Sequence, residues 1–259
     1  MRPISPVIMV TVLLLSLWIG SNSIAGVAQG QVCDVGADYS LGVEDYSEAI
    51  RRHVEVVRKH PDNALAHYHL GFAQGMVGNR TAEVGEYQRA EALGLRNWDL
   101  FLNLGLAQLE NGELNAATDS LRRAVLLGGD HSESHFNLAL VDERRGMLAD
   151  AERETLASLL LNPGQPDARN MLGVIYAQEG KTASASLVWR ELVRDVPDYE
   201  PAGTNLDLFG SRTALATGER AAVDLPPKRP PAKPSEMNAN TSTGTRSTAK
   251  LETARYNRR

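Results

Sequence analysis

From Trp98 to Ala124 the chain reads WDLFLNLGLAQLENGELNAATDSLRRA. Phe101, Leu104 and Ala107 follow one another at helical steps, and Gln108 completes the face. Asn111-Gly112 then interrupts the pattern. A second apolar stripe begins directly after it, at Leu114, Ala117, Leu121 and Ala124. The stretch therefore predicts two antiparallel helices of about 14 residues each, joined by a tight turn. Gly112 stands just past the first helix, where a left-handed backbone costs little only for glycine.

The same stretch recurs along the chain. Leu70, Leu104, Leu138, Leu172 and Leu206 share a common step of 34, so the register holds from the first to the last without a gap. The next residue is small in four of these places: Gly71, Gly105, Ala139 and Gly173. A glycine stands at a fixed distance beyond each of the first four leucines, at Gly78, Gly112, Gly146 and Gly180. Small residues are what a close helix crossing requires, since axes approach to about 8 Å only where no bulky side chain intervenes. Ala117, Ala124 and Ala151 serve the same need on second helices, while Tyr87, Leu121 and Trp189 share one gap-filling position. Pro163 and Pro197 share a helix-ending one.

These residues, with Tyr176 at a further matching position, resemble the tetratricopeptide repeat family over about Asp45 to Phe209. The resemblance implies an all-α, right-handed α-solenoid of helix-turn-helix repeats. On that reading residues 44–63 are a half repeat whose first helix is missing. Full repeats follow at 64–97, 98–131, 132–165 and 166–199, and 200–209 is a capping helix. Asp207 stands where a small residue would be needed if another helix packed on, as suits the polar outer face of a terminal unit. Glu83 departs from the expected alanine, and Thr155 and Ser158 depart from the expected bulky and small residues. Looser packing is expected at those places.

Both ends differ from the repeats. An apolar run of 13 residues, Val7 to Ile19, is shorter than the roughly 20 a spanning helix needs and fits a signal-peptide core. Small residues follow, which predicts a leader over residues 1–28 cut after Ala25 or Ala28, with retention as an N-terminal membrane anchor as the alternative. The chain is therefore expected to be exported, to a periplasmic or extracellular location, with 29–43 as its mature N-terminal segment. Cys33 is the single cysteine, which excludes an intrachain disulfide framework and leaves a free thiol or a bond between chains. Residues 210–259 hold five of the 12 prolines, few bulky aliphatics, and a charge of 10 − 4 = +6. They are expected to be a disordered basic tail. The rest of the chain carries 17 − 28 = −11.

Nothing in the sequence gathers catalytic groups. There is no G-x-x-x-x-G-K-[ST] loop and no G-x-S-x-G elbow. His131 and His135 have the spacing of a paired ligand, but His131 precedes its helix, and His67 and His135 occupy a packing position of the repeat. His67 and His69 point to different sides of one helix. No reaction, cofactor or metal is expected, and an overall charge of −5 gives no case for nucleic acid.

The resemblance further implies a binding groove lined by first helices. Its fifth and ninth repeat positions fall on Tyr68 and Phe72, Leu102 and Leu106, Phe136 and Leu140, and Asn170 and Val174. Its second positions include Asp99, Glu133 and Asp167, and Glu110 and Glu143 extend the acidic margin. Such a groove suits a protein or peptide partner with an apolar face and basic flanks. The competing reading makes the apolar side chains core. Two other functions stay open: a glycan or small-ligand binder with Tyr68, Phe72 and Trp98 as stacking platforms, and a homo-oligomeric structural protein. The basic tail is expected to touch either the acidic body or an anionic surface.

Overall fold

A left-handed backbone recurs at the same point of every helix pair: Glu44 has φ 61°, Gly78 82°, Gly112 81°, Gly146 72° and Gly180 79°. Each marks the reversal between two helices. The computed structural model describes residues 34–213, which form eleven helices and, among the described residues, no strand. The first pair is α1 (Val35–Gly42) and α2 (Tyr46–Lys59), followed by α3 (Ala64–Met76) with α4 (Arg80–Ala92). Then come α5 (Trp98–Glu110) with α6 (Leu114–Leu127), and α7 (Ser132–Arg144) with α8 (Leu148–Leu161). The last pair is α9 (Pro166–Gln178) with α10 (Thr182–Asp195), and α11 (Glu200–Thr213) closes the array. Each helix packs on its neighbours in sequence, as in an α-solenoid. None of the described helices is long and apolar enough to cross a membrane. The leader at 1–28, Cys33 and the tail beyond Thr213 lie outside the described residues.

Helix starts are fixed locally. The side chains of Asp34, Asn63 and Asn97 accept from the backbone N–H of Ala37, Ala66 and Leu100 at 2.9–3.0 Å, each satisfying a donor left free by the first helical turn. Pairing is then fixed by size. A Cβ on Gly71 would stand 2.8 Å from the Tyr87 ring, and one on Gly105 would stand 2.6 Å from Leu121. Gly173 is crowded in the same way by Trp189. The expected gap-filling position is thus the knob that the small residue admits.

Three expectations need correcting. The N-terminal unit is not a half repeat: α1 supplies its first helix. Ala37 is fully buried at the position of Gly71, and Glu44 takes the left-handed turn at the position of Gly78. The closing helix does not stop at Phe209 but runs to Thr213, because after Pro201 in its first turn no proline follows before Pro226. The departures in the repeat are not loose either. Glu83 is 1 % exposed, pairs with Arg80 at 2.8 Å, and fits because Gly75 opposite it has no side chain. Thr155 and Ser158 are fully buried and hydrogen-bonded, to the Ala151 carbonyl at 2.7 Å and to Gln165 at 3.0 Å. By register Thr155 faces Ala139, the one small position of the four full repeats that carries a Cβ, so the smaller knob meets the larger side chain opposite.

Gly105→Ala is expected to destabilise by about 1–3 kcal/mol through overpacking. Adding Leu121→Thr imitates the Ala139 and Thr155 pair. Urea unfolding of the double variant should show a loss smaller than the sum of the singles by at least about 0.5 kcal/mol. Strict additivity would disprove the size-pairing account.

Candidate binding groove

The first helices α3, α5, α7 and α9 each touch the next first helix, whereas the second helices make less contact with one another. The array therefore bends toward its first-helix side, the concave side of a solenoid. Hydrogen bonds tie the wall together. Asn103 donates to the Tyr68 hydroxyl at 2.9 Å, and Asn205 donates to the Asn170 side-chain carbonyl at 2.9 Å, each from one repeat to the one before it. Gln178 donates to Glu143 in the same manner.

The fifth and ninth positions separate on this wall. Tyr68, Leu102, Phe136 and Asn170, the fifth positions, are all buried between neighbouring units. Phe72, Leu140 and Val174, three of the ninth positions, stay partly exposed, and Leu106 is buried. The row continues to Leu208, which is 62 % exposed. Sequence reasoning omitted Leu208, although one more repeat step beyond Val174 reaches it. The aromatic platforms do not assemble. Tyr68 packs on Tyr87 at 5.6 Å between centroids, and Trp98 is stacked against His131 at 3.7 Å.

The acidic margin is largely committed to internal partners. Glu110 pairs with Arg80, Glu143 accepts from Gln178, and Asp167 accepts from the Tyr199 hydroxyl at 2.8 Å. Asp99 differs: its Oδ1 is buried and makes no hydrogen bond. Burial pushes its pKa up, with His131 opposing. Glu133 is partly exposed.

The histidines are placed by helix pairing. His67 lies 2.6 Å from Glu86, and His135 lies 2.8 Å from Glu154, at equivalent repeat positions. His131 occupies the N-cap position of α7 against Trp98, so it and His135 do not converge. His69 instead meets Asp38 at 2.8 Å, and the fully buried His53 stands 3.4 Å from the same carboxylate oxygen. Burial raises the Asp38 pKa, but the facing His53 and His69 rings outweigh it and hold this carboxyl well below the usual carboxylate range. Sequence reading missed this cluster because its members are far apart along the chain, one on each of three helices.

A family model described as tetratricopeptide repeat matches residues 102–166. No curated protein matches the chain. Among solved structures it is similar to YrrB, described as a TPR protein with an unusual peptide-binding site, at 22 % identity and a TM-score of 0.61. That match covers 72 % of this chain and 94 % of YrrB. It is also similar to a tetratricopeptide repeat protein from Parabacteroides merdae, at 18 % identity and a TM-score of 0.62, over 70 % of this chain and 74 % of that one. MamA is 21 % identical with a TM-score of 0.58, over 71 % of this chain and 99 % of MamA. At these identities the likeness is one of fold.

The hydrogen bond from His135, ahead of opposing burial, brings the Glu154 pKa below its ordinary 4.5. A carboxylate depressed by folding contributes stability that is full above its unfolded pKa and is lost as pH falls through the folded one. His135→Phe should therefore flatten the decline of the urea midpoint below about pH 4.5. An unchanged slope would show that the pair contributes nothing.

Proposed function

We propose, from the match of a tetratricopeptide repeat model to residues 102–166 and the like helix-pair packing on both sides of them, a non-catalytic scaffold that holds a peptide or protein segment along its first-helix face. The observation that carries this reading is the row Phe72, Leu140, Val174 and Leu208. Its apolar side chains stay accessible while the fifth-position row beside them is closed into the core. A partner helix or extended peptide with apolar anchors at matching intervals fits such a row. Asp99 and Glu133 beside it favour basic flanks. The peptide-binding site named for YrrB, whose fold this chain shares, supports a peptide as the class of partner.

Export is part of the proposal, on the strength of the Val7 to Ile19 run and the small residues after it. N-terminal sequencing of the chain recovered from outside the cytoplasm should read a start after Ala25 or Ala28, and an intact Met1 would reverse that reading.

Self-association is a second reading with its own observation. Leu126 and Leu160 stand at one repeat position and are 83 % and 60 % exposed, with Leu127 and Leu161 beside them on the C-terminal ends of α6 and α8. Such a patch is a candidate contact between copies. Light scattering decides it: a dimer that Leu126→Glu dissociates favours this reading, and a monomer removes it.

An amphipathic helical probe peptide with lysine-rich flanks tests the groove. Leu140→Ser together with Phe72→Ser should weaken its binding at least about tenfold, while circular dichroism keeps the parent helix content. Asp99→Asn with Glu133→Gln should flatten the salt dependence of the affinity. Affinity unchanged by the apolar substitutions would remove the groove.

A further inference from the structure

We propose that Asp38, His53 and His69 form a binding site for a divalent transition-metal ion, with zinc the ion that this donor set suits. The three side chains come from α1, α2 and α3, and one ligand atom of each lies within 4.8 Å of the others. Two imidazoles and one carboxylate with an open fourth position are donors that zinc accepts.

The hydrogen bonding of His53 leaves a gap that a cation fills. Its Nδ1 lies 2.9 Å from the Ala49 carbonyl oxygen. A carbonyl only accepts, so Nδ1 carries a proton, and a metal ion would take the lone pair that Nε2 offers in this tautomer. That Nε2 is buried, makes no hydrogen bond, and faces Asp38 Oδ1 at 3.4 Å. In that tautomer a buried nitrogen and a half-exposed carboxylate face each other as acceptors, an arrangement that costs free energy unless a positive charge, a proton or a metal ion, lies between them. Tetrahedral zinc with arms of about 2.0–2.1 Å spaces its ligand atoms by about 3.3–3.5 Å, which matches this separation. His69 Nδ1, at 2.8 Å from the same oxygen, must open slightly, and both it and Asp38 are partly exposed and have room to do so. The bond from His53 to Ala49 is the outer-shell contact that orients a ligating imidazole.

The repeat gives a second, independent line. His53 occupies the position of Tyr87, Leu121, Thr155 and Trp189, a gap filler in every later pair. Asp38 occupies the position of Phe72, Leu106, Leu140 and Val174, all apolar. His69 occupies that of Asn103, Asn137, Met171 and Asn205. Each replacement by a ligating residue occurs only here, and all three meet at one point. There is also a structural need. The helix α1 has eight residues, buries only Ala37 and Ser40, and leaves Val35 and Tyr39 largely exposed. So short a helix does not persist on its own backbone bonds. An ion held by α1, α2 and α3 together would fasten this edge.

The test uses the full chain, stripped with a chelator and titrated with Zn2+ against a chromophoric competitor. One equivalent should bind and raise the unfolding temperature. Asp38→Asn and His69→Gln, both at partly exposed side chains, should each weaken binding at least about tenfold while the folded circular dichroism spectrum persists. His67→Phe and Cys33→Ala should leave the stoichiometry unchanged. With Co2+ as the probe, the visible bands should lack a thiolate charge-transfer band and should vanish in the Asp38→Asn, His69→Gln double variant. Failure of the parent chain to compete for Zn2+, or binding that survives the double variant, overturns the site.

Discussion

Close approach of two helices within each pair is the constraint from which the rest follows. A reversal in so few residues needs one residue with positive φ, and glycine supplies it at four of the five equivalent turns. Once the helices are that close, their crossing admits one bulky side chain opposite one small one. Gly71 receives Tyr87, Gly105 receives Leu121 and Gly173 receives Trp189. The variation among these knobs is not noise, since each is matched to its own hole and an interior packed to crystal-like density tolerates little mismatch. The repeat period is the distance along the chain after which this crossing is needed again.

Polar groups enter this framework only where a neighbour makes room and supplies a partner. Glu83 stands where the repeat wants alanine, and the missing side chain of Gly75 gives it space. Arg80 satisfies it and also reaches Glu110 on the next first helix. Leaving such a carboxylate buried without its cation would cost several kcal/mol, roughly 3–5. The pairing therefore binds successive repeats to one geometry. Arg123 does the same between second helices, bridging to Glu91 at 2.5 Å and lying 3.7 Å from the centre of the Phe101 ring. Arg169, almost fully buried, reaches Asp195 at 3.1 Å.

The helix pairs were legible because their determinants are local: a stripe, a glycine and a small residue at fixed spacing. The helix α1 was not legible because two of those marks are absent. Gly36 replaces the leucine and Glu44 replaces the turn glycine, so only Ala37 kept the pattern. The first-helix face was half legible. The carried-over positions all lie on first helices, but sequence does not say how far each side chain sinks between units. Tyr68 and Asn170 sink because hydrogen bonds from Asn103 and Asn205 draw them into the wall. The Asp38 cluster was hidden because three helices bring together residues that share no local motif.

The ninth-position row gives the proposed groove a direction. It begins at Asp38, runs through Phe72, Leu106, Leu140 and Val174, and ends at Leu208. Its N-terminal member is a carboxylate turned toward two imidazoles and so removed from any apolar contact. Its C-terminal member is the most exposed of the row. An apolar partner face therefore finds contact at α3, α7 and α9, most at α11, little at α5 where Leu106 is buried, and none at α1. Asp99 and Glu133 lie between, on α5 and α7. A segment read in one orientation sets its cations beside them, and reversing it changes which flank they meet. Orientation of a segment in the proposed groove is thus set by the polar first member of an otherwise apolar series, and that same residue joins α1 to α2 and α3 through His53 and His69.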